Sequence, residues 1–131
     1  MKKTKLSENQ MILPNGKIIT FNDEQYDGIV KIRKWLLNDE KFFILGGFAG
    51  TGKTTCIKKI VSEYKHRGGI IVSAPTHKAR KVAERVIGKK SKTLQHLLGL
   101  RPDVDLDDFN PNNPAFRRIS VPKINDYNFI I

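Results

Sequence analysis

Gly47-Phe48-Ala49-Gly50-Thr51-Gly52-Lys53-Thr54 has the spacing of a glycine, four residues, then Gly-Lys-Thr, and its flanks decide what that spacing means. Upstream, the short apolar run Phe42-Phe43-Ile44-Leu45 predicts a buried parallel strand, and downstream Thr55 to His66 predicts a helix. Strand, glycine loop and helix in that order form a cradle for a chain of phosphates. Gly47, Gly50 and Gly52 let the backbone bend so that several N–H groups converge on an anion. The helix that follows presents its positive end to the same anion. Lys53 supplies a mobile point charge for the β- and γ-phosphates, and the Thr54 hydroxyl is placed to ligate Mg²⁺. Thr55 offers a further hydroxyl near the α-phosphate. The alternative is a glycine-rich turn that only joins a strand to a helix.

At 131 residues the chain is long enough for one domain with a real core. Its net charge of +11 is unevenly spread. Residues 1–41 carry 8 basic and 6 acidic side chains, residues 42–100 carry 12 and 2, and residues 101–131 carry 4 and 5. The excess therefore lies in the segment that holds the glycine loop, and it suits a polyanion, nucleic acid before an acidic membrane. Cys56 is the only cysteine, which excludes an intrachain disulfide and a cysteine metal site and fits a reducing cytoplasmic setting. It reads as a small packed residue. His66, His77 and His96 lack zinc-ligand spacing. No signal-peptide apolar region and no apolar run of membrane-spanning length is present, so no membrane partner is expected.

Residues 1–20 read as a polar amino-terminal arm, either a mobile tail or a weak hairpin turning at Pro14-Asn15-Gly16. Asn22 to Leu37 predicts a helix with Asn22 as N-cap and Asp23 and Glu24 in its first turn. Arg67-Gly68-Gly69 stops the helix after the glycine loop. Ile70 to Ala74 predicts a second buried strand ended by Pro75, and Thr76 to Val86 a helix with Ala79, Val82, Ala83 and Val86 inward. Thr93 caps a short helix closed by Gly99. Residues 101–126, rich in Asp, Asn and Pro, read as an insertion or long loop with room for a small hairpin, and 127–131 as a third apolar strand. The expected fold is α/β: a phosphate-loop, RecA-like parallel sheet flanked by helices, incomplete, occupying residues 21–131.

Four motifs in order resemble one family, the superfamily 1 DNA helicases of the RecD and phage Dda type. Phe21-Asn22-Asp23-Glu24-Gln25 resembles its glutamine motif, which implies that Gln25 hydrogen-bonds an adenine edge. Gly47 to Thr55 is similar to its Gly-Pro-Ala-Gly-Thr-Gly-Lys-Thr-Thr loop, which implies nucleotide binding by Gly47, Ala49, Gly50, Thr51, Gly52, Lys53, Thr54 and Thr55. Lys53 and Thr54 are then the catalytic pair, and ATP and Mg²⁺ the cofactors. Ala74-Pro75-Thr76-His77-Lys78-Ala79 resembles the motif that lies against the DNA strand, and Thr93-Leu94-Gln95-His96-Leu97-Leu98 the next. Gln95 stands at the usual histidine position with His96 displaced by one. The expected single-stranded DNA contacts are Pro75, Thr76, His77, Lys78 and Thr93, and His96 is left out.

The resemblance also implies 5′-to-3′ translocation and a pin formed by 101–126, with Phe109 or Phe116 as its wedge. In the family the third strand runs into Asp-Glu, which completes the Mg²⁺ site, and the 131 residues stop before that pair. The expectation is negligible turnover by this chain alone, with the carboxy-terminal remainder or a complementing chain as partner. A family strand that would separate the loop strand from the third strand is also lacking. Those two neighbours would then stand apart by about twice the usual spacing of about 4.8 Å. Two other readings use the same loop: a non-catalytic nucleotide- and strand-binding fragment, and a small phosphotransferase, against which Ala74-Pro75-Thr76-His77 and its basic helix argue.

Overall fold

A computed structural model describes residues 5–38, 40–64, 69–102 and 110–131. The chain divides into two compact units, Met1–Tyr64 and Lys65–Ile131.

In the first unit, β1 (Gln10–Ile12) and β2 (Ile18–Thr20) pair antiparallel, Met11 opposite Ile19. The pair turns at Pro14-Asn15-Gly16, where the Lys17 amide donates to Asn15 Oδ1 at 3.1 Å. The hairpin is the second of the two forms expected for this arm. It is anchored: Met11 is buried, and Lys59 Nζ donates to the Gln10 carbonyl at 2.8 Å.

Helix α1 (Asp23–Leu36) starts at a reciprocal cap. The Asn22 side chain accepts from the Gln25 amide at 2.8 Å, and the Gln25 side chain accepts from the Asn22 amide at 3.1 Å. Ile29 and Ile32 are buried, as are Cys56, Ile60 and Val61 of α2 (Lys53–Tyr64), which packs against α1. Arg33 spans the two helices with both its Nε and Nη2 on the Glu63 carboxylate, at 2.9 and 2.7 Å. Lys59 approaches the same carboxylate at 3.2 Å.

The strand expected at Phe42–Leu45 is not formed. A strand exists through its neighbour's hydrogen bonds, and no strand pairing among the described residues includes this stretch. Phe42 and Ile44 stand 76% and 81% exposed. The stop expected at Arg67-Gly68 and the end of the helix at His66 lie outside the described residues.

The second unit holds a three-stranded parallel sheet in the order β4 (Ser91–Thr93), β3 (Ile70–Ala74), β7 (Phe129–Ile130). Its centre is β3 (Ile70–Ala74), with Ile71 and Val72 buried. On one side lies β7 (Phe129–Ile130), extended by Ile131, whose carbonyl accepts from the Ser73 amide at 2.6 Å. On the other lies β4 (Ser91–Thr93), in register Val72 to Ser91 and Ala74 to Thr93. β4 was not expected, because Lys89-Lys90-Ser91-Lys92-Thr93 has no apolar run. As an edge strand it needs one partner only, and charged residues suit an edge.

Helix α3 (His77–Ile87) crosses from β3 to β4, capped by Thr76 at its start and ended at Gly88 in the left-handed conformation. Helix α4 (Leu94–Leu97) is capped by Thr93. After it, β5 (Leu100–Pro102) and β6 (Phe116–Arg118) pair antiparallel, the hairpin allowed for within the insertion. Phe109 lies outside the described residues. A short 3-10 turn, Ile124–Asp126, leads into β7.

Candidate functional site

The phosphate loop enters α2 directly, so the first amides of that helix have no carbonyl one turn earlier to bond. The first helical bond is from the Cys56 amide to the Gly52 carbonyl at 3.0 Å. Gly50 and Gly52 hold φ of +78° and +85°, a region open to glycine and strained for other residues. Lys53 Nζ lies inside the loop and donates to the carbonyls of Gly47 at 2.7 Å and Phe48 at 2.6 Å. Thr51 Oγ1 donates to the Phe48 carbonyl at 2.8 Å. The loop is thus pre-bent around the lysine, which holds a ring of carbonyls where an anion would give it stronger, charge-assisted bonds.

A cavity of about 420 Å³ opens here, lined by Gly47, Gly50, Thr51 and Lys53 of the loop and by Gln25 and Asn22 of the α1 start. Thr54 is exposed at the first turn of α2 and Thr55 is half-buried; neither they nor Gly52 are among the residues lining the cavity. Ala49 is exposed in the loop and is not among the residues lining the cavity.

The donor set fits a nucleoside triphosphate: glycine backbone that can approach closely and one ammonium at the cavity, with the Thr54 hydroxyl on the adjoining first turn of α2 for Mg²⁺. Bound Mg²⁺ would neutralise phosphate charge, and Thr54 would be its ligand from this chain. Cys56, one turn into α2, is buried, and that burial pushes its thiol above the ordinary range.

Gln25 has a second attachment that its motif did not foretell. Its Nε2 donates to the Thr51 carbonyl at 3.0 Å, while Oε1 serves the helix cap. A Cβ on Gly52 would stand 2.6 Å from that Nε2, so the side chain lies tight against the loop.

In the second unit, the parallel register brings the carboxyl ends of β3 and β4 side by side. Pro75, Thr76 and His77 follow the first and Thr93 ends the second. Thr76 Oγ1 accepts from the Ala79 amide at 3.1 Å, and Thr93 Oγ1 from the His96 amide at 3.3 Å. Among the described residues neither hydroxyl donates its own proton, which leaves it for an outside acceptor such as a phosphate oxygen. His77 Nδ1 accepts from Arg80 Nε at 3.3 Å, which leaves Nε2 as the ring's N–H donor.

Pro75, His77 and Thr93 line one cleft of about 440 Å³ together with Arg101, Phe116 and Lys123. Thr76 caps α3 beside it, and Lys78 is exposed but does not line it.

His96 also lines this cleft. Burial, then the charges of Lys92, Lys123, Arg101 and Arg80, hold its imidazole below the ordinary range. Arg101, Lys123 and His96 were not expected at the site, and Phe116 was expected as the wedge of a pin, not as part of this cleft. Three of them come from the hairpin and the segment after it, whose path no periodicity discloses.

Alongside, Arg80 Nη1 donates to Ser91 Oγ at 3.1 Å and pairs with Glu84 at 3.6 Å, and Ser91 donates to Glu84. Among the described residues, no helix is long and apolar enough to cross a membrane.

A nucleotide-type phosphate loop on a mixed α/β chain with a parallel sheet defines a phosphate-loop nucleotide-binding class, and a family model described as an AAA domain matches residues 20–120. The chain belongs to that AAA domain family. It is also similar to the ATP-dependent DNA helicase Dda of Enterobacteria phage T4, with 34% identity over 89 residues. That match covers 64% of this chain and 20% of the phage protein, so the chain spans about a fifth of its relative's length. No solved structure matches. The resemblance to Dda and RecD-type helicases read from the motifs is borne out.

Proposed function

We propose that this chain is the nucleotide-binding and strand-binding part of an ATP-dependent DNA helicase. It holds Mg-ATP in the phosphate loop and the backbone of single-stranded DNA in the cleft beside β3 and β4.

One observation carries the nucleotide half: Lys53 Nζ is coordinated by the Gly47 and Phe48 carbonyls inside a loop bent through Gly50 and Gly52. An ammonium held by neutral carbonyls is primed to exchange them for phosphate oxygens. In this reading Lys53 and Thr54 serve the β- and γ-phosphates and Mg²⁺, and Gly47, Ala49, Gly50, Thr51, Gly52 and Thr55 line or support the phosphate path. Gln25 faces the base.

The strand half rests on chemistry suited to a backbone without sequence readout. Two hydroxyl protons, one imidazole N–H and the cations of Arg101 and Lys123 would face phosphates, with Pro75 and Phe116 as apolar surface for bases. Such a grip suits a motor that travels along a strand, and 5′-to-3′ travel is proposed from the likeness to the Dda type alone.

A fluorescent ATP analogue and a labelled oligo-dT test the two halves separately. The analogue should bind with Mg²⁺, be displaced by ATP, and be lost from Lys53→Ala while oligo-dT binding stays. Thr93→Val with His77→Ala should do the reverse. A common loss of both ligands in both variants would contradict two separable sites.

A further inference from the structure

The Gln25 amide has four hydrogen-bonding positions, and among the described residues the structure commits two. Oε1 accepts from the Asn22 amide at 3.1 Å, and Nε2 donates to the Thr51 carbonyl at 3.0 Å. The backbone beneath it is fixed too. Its amide is capped by Asn22 Oδ1 at 2.8 Å, and its carbonyl lies 3.9 Å from the buried Cys56 Sγ.

A trans peptide is planar, with its C=O and N–H on opposite sides. The grip on the Thr51 carbonyl therefore turns the Gly52 N–H away from α1. Gly52, at φ +85°, is where the chain swings into Lys53, and the absence of a Cβ there lets Nε2 come close.

We propose that Gln25 is a positioning residue of the phosphate loop. By holding the Thr51 carbonyl it aims the Gly52 N–H at a bound phosphate, in addition to any contact with the base. This rests on the nucleotide reading above. One lone pair and one N–H of the amide stay open, a pairing that matches the donor and acceptor on the outer edge of adenine. One side chain would then join base and phosphate ends of the ligand, so that recognition at one end sets geometry at the other.

The test separates the two ends with inorganic tripolyphosphate, which has phosphates and no base. Calorimetry of Mg-tripolyphosphate and Mg-ATP is compared for the wild-type chain, Gln25→Met and Gln25→Ala. Arg33→Met serves as a folding control that weakens the helix pair away from the loop.

Loss of one hydrogen bond to the loop predicts that tripolyphosphate binding falls about five- to tenfold in both Gln25 variants. ATP binding should fall at least as far, and Arg33→Met should leave both ligands unchanged. The Gly52 amide resonance, which tripolyphosphate should move in the wild type, should move less in Gln25→Met.

Tripolyphosphate binding kept within twofold, with ATP binding reduced, would overturn the proposal and leave Gln25 a reader of the base alone. A wild-type chain that binds neither ligand would overturn the nucleotide reading itself. An Arg33→Met loss equal to that of Gln25→Met would assign the effect to general loosening and also overturn the proposal.

Discussion

Removing charge from the cleft beside β3 and β4 should change how strand binding responds to salt, and the size of that change follows from the structure. Arg101 and Lys123 line the cleft. Neutralising one phosphate of a single strand contributes about 0.7 to the slope of log affinity against log salt, so Arg101→Gln with Lys123→Gln should flatten the slope by about 1.4. Between about 50 and about 200 mM salt, log concentration rises by about 0.6, so the wild-type chain should lose about sevenfold more affinity than the double variant. The two binding curves should converge as salt rises. Anisotropy of a labelled oligo-dT, titrated at four or five salt concentrations, reads the slope directly. A slope that stays unchanged while affinity drops by a constant factor would refute the assignment, because it would mean that neither side chain faces a phosphate.

Three further outcomes are expected. Half-burial pushes the Glu63 carboxyl up, but the hydrogen bonds from Arg33 and Lys59 outweigh it and hold the group below its ordinary range. A depressed carboxylate gives stability that is present above the unfolded value and lost as pH falls through the folded one. Glu63→Gln should therefore lower stability by about 1 kcal/mol at neutral pH in urea unfolding, and match the wild type in acid. His96 is depressed as a base, so the folded chain takes its proton at lower pH than the unfolded chain. Stability should decline as pH falls through the ordinary histidine value, and His96→Gln should remove that decline. Adding oligo-dT should raise the His96 titration midpoint followed by NMR, because strand phosphates offset the surrounding cations. Finally, Gly88 and Gly99 share positive φ, yet a Cβ at Gly88 meets open space while one at Gly99 meets the Ser120 carbonyl. Thermal melting should show Gly88→Ala costing about 1 kcal/mol and Gly99→Ala clearly more.

Local signals were legible where one residue's chemistry settles the matter. Asn22 and Thr93 stand as N-caps, and Ile70 to Ala74 is a strand because a β-branched run between Gly69 and Pro75 leaves it little else. The strand expected before the loop failed for the opposite reason. Phe42-Phe43-Ile44-Leu45 has strand composition, but pairing belongs to a partner and cannot be read from the run itself. β4 escaped notice because its support comes from β3 and from Arg80 and Glu84 on α3, none of it visible in Ser-Lys-Thr. At the candidate sites, the sequence picked out Gly47, Gly50, Thr51 and Lys53 of one cavity and Pro75, His77 and Thr93 of the other, along with Ala49 and Lys78, which line neither. Arg101 and Lys123 were not picked out, and Phe116 was picked out only as a pin wedge, because the hairpin and the turn after it deliver all three to the cleft through long-range folding. The Gln25 grip on Thr51 lies across 26 residues and has no local trace.

In the proposed function, the loop after Leu45 takes the phosphates of a nucleotide through the ammonium of Lys53. Isothermal calorimetry of Mg-ATP against the purified chain tests it most directly. One saturable site should appear, and Lys53→Ala should weaken it by at least about tenfold, as expected for loss of a charged hydrogen-bond donor. A folded chain that releases no binding heat across a range of temperatures, or a Lys53→Ala isotherm that overlays the wild type, would contradict the account.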